Sequence, residues 1–194
     1  MNSISNAQKI IDKIQQILLS IPVKKTEKII KEIINADNVF VFGVGRSGLV
    51  GQAFAMRLVH LGKTVHFVGM VTTPAISPND VIIVISGSGK TNSVYNVVKT
   101  AKKQLAKIIA ITSKSDSSIA KLSDIVVRIP LERGDRETNN YLTNQLTSKF
   151  DEIVPMGTLF ELTAMIYFDS IIPVIMKQTG VSEEYMKAKH SNLE

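Results

Sequence analysis

The sequence predicts an α/β protein. The expected architecture is a doubly wound, five-stranded parallel sheet in the order 2-1-3-4-5, flanked by helices and preceded by a helical hairpin. Two observations carry this. Five short runs rich in Val, Ile and Phe recur along the chain: NVFVFGV (38–44), TVHFVG (64–69), VIIVIS (81–86), KIIAIT (107–112) and IVVRIP (125–130). They are continuously apolar rather than alternating, as strands are when helices cover both faces of a parallel sheet. Most are separated by segments of helical period, and strand–helix alternation is the signature of this fold class.

The elements follow in order. Residues 4–21 place Ile4, Ala7, Ile10, Ile11, Ile14, Ile17, Leu18 and Ile21 at three- and four-residue steps, an amphipathic helix closed by Pro22. Ile29, Ile30, Ile33 and Ile34 mark a second helix, completing the hairpin. After the first strand comes a helix over 47–61, closed by Gly62. TTPAISPND is a loop leading into the third strand, and a helix over 91–105 follows that strand. A short helix near 118–123 precedes the fifth strand. Residues 131–153 read as a polar, turn-prone excursion. A long helix over 156–178 follows, with Pro173 as a kink, and then a short helix before KAKHSNLE. The whole of 1–194 reads as one domain: N-terminal helices to 37, the α/β core over 38–130, and a loop with C-terminal helices beyond.

Composition narrows the function. A chain of 194 residues is long enough for one domain with a single core. Without Cys there are no disulfides, thiolate metal sites or thiol nucleophiles, which suits a reducing cytoplasm. The N-terminus MNSISNAQKIIDKIQQ lacks the apolar stretch of a signal peptide, and the longest clean apolar run, 81–85, is too short to cross a bilayer. A cytoplasmic protein with no membrane partner is expected. The net charge of +6 raises the question of nucleic acid. But the lysines are dispersed and mixed with Glu, as in VKKTEKIIKEI, with no helix-turn-helix spacing and no aromatic–basic interleaving. The reading is a solvated surface and no nucleic-acid partner, with a general field favouring anionic substrates.

Two motifs carry chemistry. VISGSGKTN (84–92) ends like a nucleotide-binding P-loop, but G-x-x-x-x-G-K-[ST] requires a glycine where Val84 stands, inside the strand. What remains is a strand-to-helix turn of Ser86, Gly87, Ser88, Gly89 and Thr91. Its glycines let backbone N–H groups turn inward, its hydroxyls donate, and the following helix contributes the positive end of its dipole, typically worth about 0.3–1 kcal/mol toward an anion. That equipment suits one phosphate monoester; the plainer reading is a helix N-cap with flexible glycines. Upstream, GVGRSG (43–48) matches G-x-G-x-x-G after a strand. A dinucleotide site would need an acidic residue at the end of the second strand, yet no Asp or Glu occurs between Asp37 and Asp80, and no Arg lies near 70 for a 2′-phosphate. Gly45, Arg46 and Ser47 are therefore read as a second anion-binding turn. In a 2-1-3-4-5 sheet both turns open into one crevice, with their helices on opposite faces.

With both turns placed, the chain resembles the sugar isomerase (SIS) family of phosphosugar-binding domains, most closely its 6-phospho-3-hexuloisomerases. The resembling stretches are FGVGRSGLVGQAFAMRLVHLG, VGMVTTPAISPNDVIIVISGSGKT, PMGTLFELTAMIYFD and KAKHSNLE. The resemblance implies reversible isomerisation of 3-hexulose 6-phosphate to fructose 6-phosphate in formaldehyde fixation or its reverse. It implies no metal, nucleotide or other cofactor, and homo-oligomers, commonly tetramers. It points to Glu161 as the proton-shuttling base and to His190 as a second acid–base group.

Each assignment has a plainer counterpart. Thr158-x-x-Glu161 is also a capping box, although the apolar surroundings TLFELTAMIYF suit a proton-carrying carboxyl. His190 lies close to the chain end and acts only if the tail docks, for instance in a neighbouring subunit's pocket. His60 and His66 read as packing residues. Arg46 serves either the sugar hydroxyls and enediolate or a salt bridge. A non-catalytic sugar-phosphate sensor and an aldose–ketose phosphosugar isomerase remain the alternative functions. The segment before the first strand reads as two packing helices without a DNA-binding unit.

Overall fold

The computed structural model describes residues 3–130, 157–190 and 192. The 131–153 stretch read as a loop lies outside the described residues. The strands are β1 (Val39–Gly43), β2 (Val65–Phe67), β3 (Val81–Ile85), β4 (Lys107–Thr112) and β5 (Ile125–Arg128). All pair in parallel, in the order β2-β1-β3-β4-β5. The β1–β3 register sets Val39 opposite Val81 and Gly43 opposite Ile85, so the segments leaving these two strands emerge side by side. This is the expected order, and it makes the shared crevice possible.

The helices are α1 (Ser3–Leu19), α2 (Val23–Asn35), α3 (Arg46–His60), α4 (Asn92–Lys103), α5 (Ser118–Leu122), α6 (Thr158–Thr179) and α7 (Glu183–Ala188). Alternate strand residues divide the core between the two faces. Val39, Val41, Ile83, Ile85, Ile109 and Ile111 pack under α2, α3 and α6. Phe40, Ile82, Val84, Ile108 and Ala110 pack under α4 and α5. Each such Ile or Phe, fully removed from water, contributes about 1.5–3 kcal/mol. The apolar composition of the strands is thus explained: neither face meets solvent.

Two close approaches set the site's end of the sheet. A side-chain carbon on Gly48 would sit 2.7 Å from the Gly43 carbonyl oxygen, so only glycine lets the first turn of α3 lie against the end of β1. Gly89 has φ +63°, and a β-carbon there would collide with Ser117. At the opposite edge, Asp80 is buried and accepts from the backbone N–H and side chain of both Asn38 and Ser77. Burial alone would raise its carboxyl, but these hydrogen bonds prevail and hold it below the usual value.

Helix α6 alone among the described helices is long and apolar enough to cross a membrane by length and composition, a feature the inspection of apolar runs overlooked. Nine of its residues, including Phe160, Ala164, Tyr167, Phe168 and Ile175, are buried in the core beneath α1, α2 and α3. Phe54 of α3 stacks on Phe168 with ring centroids 4.0 Å apart. Thr26 and Tyr167 share a hydrogen bond of 3.1 Å between α2 and α6. The helix runs on through Pro173, which leaves the Asp169 carbonyl without its helical donor.

Candidate active site

The turn after β3 is held from below. Ser86 is 4% exposed, its N–H donates to the Ile111 carbonyl, and its hydroxyl lies 3.2 Å from that of Thr91. Ser88 is exposed, with its oxygen accepting from the Lys90 N–H at 3.2 Å. Thr91 is the N-cap of α4, in extended backbone, and its side chain does not cap the helix. The turn therefore presents hydroxyls and a helix N-terminus at one place, as the sequence led us to expect.

A second segment braces it. The Ser113 N–H and hydroxyl donate to the Gly87 carbonyl, while the Ile119 N–H and Ser118 hydroxyl donate to the Gly89 carbonyl. Thus the loop after β4 and the start of α5 tie down both glycine carbonyls and hold the turn in place. Sequence reasoning missed this brace, although the run TSKSDSS (112–118) offered a signal in its density of hydroxyls.

Glu161 and Arg46 come together from distant parts of the chain. The Arg46 Nε donates to Glu161 Oε2 at 2.8 Å. The carboxylate side chain is 13% exposed and the arginine 58%. Of the two readings of Arg46, the ion pair is the one realised here, and a guanidinium with one N–H engaged keeps four further donors. The capping-box reading of Glu161 is not realised. The N-cap of α6 is Gly157, in left-handed backbone, with no side-chain cap bond, and Thr158 is already inside the helix. The Glu161 carboxylate reaches back beside Gly157 and out to Arg46 instead.

Arg46 opens α3 immediately after Gly45, and Ser47 follows in its first turn. Because β1 and β3 are neighbours, this first turn and the serine turn share one end of the sheet. Helix α6 joins them directly: the Phe160 ring would lie 3.3 Å from a β-carbon on Gly87. Packing of Phe160 thus fixes the next residue, Glu161, relative to the serine turn. Gly45, Arg46, Ser47, Ser86, Gly87, Ser88, Gly89, Thr91 and Glu161 gather in one region.

His190 does not join them within its own chain. It follows α7, which docks at the far end of α3: the Tyr185 hydroxyl would lie 2.6 Å from a β-carbon on Gly62. There the His190 ring lies 5.2 Å from that of His60, the last residue of α3. Arg46 and His60 are the two ends of this fifteen-residue helix, about 20 Å apart along its axis. His60 is buried, as expected of a packing residue, yet what it packs against is His190. Burial, with His190 and Arg57 adding to it, holds the His60 imidazole below its ordinary value. His66, on β2, lies 5.2 Å ring to ring from Phe40 and has a packing role.

Residues 32–165 match the SIS domain family. A 3-hexulose-6-phosphate isomerase of Methylomonas aminofaciens is 43% identical over 170 residues, 87% of each chain. One of Methanocaldococcus jannaschii is 41% identical over 169 residues, 87% of this chain and 84% of that one. Among solved structures, a Methanococcus jannaschii protein with an inferred molecular function of 3-hexulose-6-phosphate isomerase is 36% identical, with TM-score 0.80 and 100% of both chains covered. The match of more than half the chain, with the sheet order and the two turns that accompany it, identifies the protein as a member of the SIS domain family.

Proposed function

We propose that this chain interconverts 3-hexulose 6-phosphate and fructose 6-phosphate, with Glu161 as the base. The observation that carries the reading is the Arg46–Glu161 pair, set beside the hydroxyl-rich turn. The similarity to relatives bearing the name 3-hexulose-6-phosphate isomerase supports it. A pure sensor has no need of a mostly shielded carboxylate paired with an arginine beside the ligand turn.

The chemistry follows from the residues. The phosphate dianion takes hydroxyl donors from Ser86, Ser88 and Thr91 and the positive end of α4; charge-assisted bonds of this kind are roughly twice as strong as neutral ones. Glu161 removes the C2 proton of the 3-ketose. The electron pair moves into the C2–C3 bond and the C3 oxygen becomes an enediolate. The same carboxyl returns the proton to C3 as the C2 hydroxyl proton passes to the C3 oxyanion, leaving a carbonyl at C2 and a hydroxyl at C3. Arg46 holds the carboxylate in place, and its remaining donors are left for the developing oxyanion. A positioned base contributes about 10²–10⁴-fold, and oxyanion donors supply a further large term.

The proposal includes a second copy of the chain. Leu49, Met56 and Val59 form an exposed apolar stripe along α3, and Leu162, Ile166 and Val174 another along the adjoining α6. A two-fold axis crossing α3 near Ala53 would cover both stripes and run the two α3 helices antiparallel. The His190 end of one copy then meets the Arg46–Glu161 end of the other. In that assembly His190 assists opening of the fructose 6-phosphate ring in the neighbour's site. A tetramer built from two such pairs is the assembly we favour.

A panel of sugar phosphates tests the reading. Turnover of 3-hexulose 6-phosphate and fructose 6-phosphate, abolished by Glu161→Gln with the circular dichroism spectrum unchanged, is the expected result. Binding without turnover would make the protein a sensor. Turnover of an aldose phosphate instead would move it to a sibling reaction.

A further inference from the structure

Beyond the groups already assigned, one side chain in the described structure is placed to act through another. His60 closes α3 and is 7% exposed, in a hollow of about 460 Å³ lined by Arg57, His60, Glu183, Met186, Lys187 and His190. Its ring meets that of His190 at 5.2 Å and 39°. The charged groups around it are Arg57 from α3, Glu183 and Lys187 from α7, and His190 itself; Arg57 is partnered by Asp169 of α6 at 3.4 Å. The segment carrying His190 follows a short helix, whose Tyr185 is seated on the Gly62 turn.

We infer that His60 is a positioning residue: its buried ring is the seat that holds His190 at the orientation it needs in the partner's active site. The inference rests on the reading of His190 given above. Its physical basis is that a buried ring at the end of a long, packed helix has one position and passes that position to the exposed ring beside it. Burial and the neighbouring cations disfavour the charged form of His60, so the folded chain takes up that proton later than the unfolded chain does. As pH falls below the ordinary imidazole range, the charge that His60 takes up stands beside Arg57 in the hollow, and the seat under the tail is weakened.

Four variants test this: His60→Ala, His60→Phe, His190→Ala and the double alanine variant. Each is assayed as the assembled protein with fructose 6-phosphate, and the imidazole resonances are followed by NMR, where only three histidines contribute. His60→Ala is expected to lower kcat by about 10–100-fold with little change in KM, the penalty of a misplaced group. The double alanine variant should be no worse than His190→Ala. His60→Phe, which keeps a ring and removes the charge, should rescue most of the loss at about pH 8 and move the His190 titration. Should His60→Ala turn over like wild type while His190→Ala does not, or should the His190 titration be the same in wild type and His60→Phe, the inference is wrong and the His190 reading survives. A fully active His190→Ala would overturn both, the fault then lying with the His190 reading. If His60→Ala does not fold, the rate, pH profile and His190 resonance of His60→Phe decide alone.

Discussion

Ser86 and Ser88 flank the same glycine, yet the fold treats them differently. Ser86 is buried and shares its hydroxyl with Thr91, so it supports the turn as much as it serves a ligand. Ser88 is exposed and engaged only with its own turn. A hydroxyl that bonds a dianion is worth roughly 1.5–3 kcal/mol. Ser88→Ala should therefore raise the KM for fructose 6-phosphate by about tenfold or more, with kcat and thermal stability nearly unchanged. Steady-state kinetics with a parallel melting curve is the check, and an unaltered KM would put the phosphate elsewhere. Arg46 teaches the complementary lesson. Its partner lies far along the chain, and only the joining of α3 to α6 reveals that the arginine pairs with Glu161.

At the scale of elements, helix ends decide more than helix interiors. Helices α3 and α4 end in the same way: Lys63 N–H to the Leu58 carbonyl with Gly62 N–H to Val59, and Ala106 N–H to the Ala101 carbonyl with Leu105 N–H to Lys102. The residue at the crux is left-handed in both, but it is Gly62 in α3 and Leu105, at φ 61°, in α4. Leucine pays a steric cost there that glycine avoids, and Leu105 is 75% exposed, so little packing is lost on removing it. Leu105→Gly should stabilise the protein by about 0.5–1 kcal/mol, read from the urea midpoint at constant slope. The start of α6 argues the same point. Because Gly157 rather than Thr158 takes the N-cap, Glu161 is released from capping and turned toward Arg46.

For the whole molecule, the question is which copy supplies His190. If a site takes Glu161 from one chain and His190 from its partner, mixing two inactive variants creates working sites. Glu161→Gln and His190→Ala, unfolded together and reassembled in equal amounts, should regain about a quarter of wild-type activity, since half the pairs are mixed and each mixed pair has one intact site. Activity no greater than the sum of the parents would mean that no site is shared. Leu49→Glu, placed on the apolar stripe, should reduce the assembly measured by light scattering and lower activity with it.

The sequence by itself determined the fold class and placed the glycine- and serine-bearing turns at the ends of the first and third strands. These depend on local signals: apolar runs covered on both faces, helical periods, and glycines at strand ends. It also supplied the family resemblance. What only the tertiary structure decided depends on residues far apart in the chain. The Arg46–Glu161 pair needs α3 packed on α6, the brace on Gly87 and Gly89 needs β4 beside β3, and the seating of His190 on His60 needs the tail folded to the far end of α3. No periodicity encodes such contacts, because a side chain's partner is set by where its whole element docks and not by its neighbours in sequence.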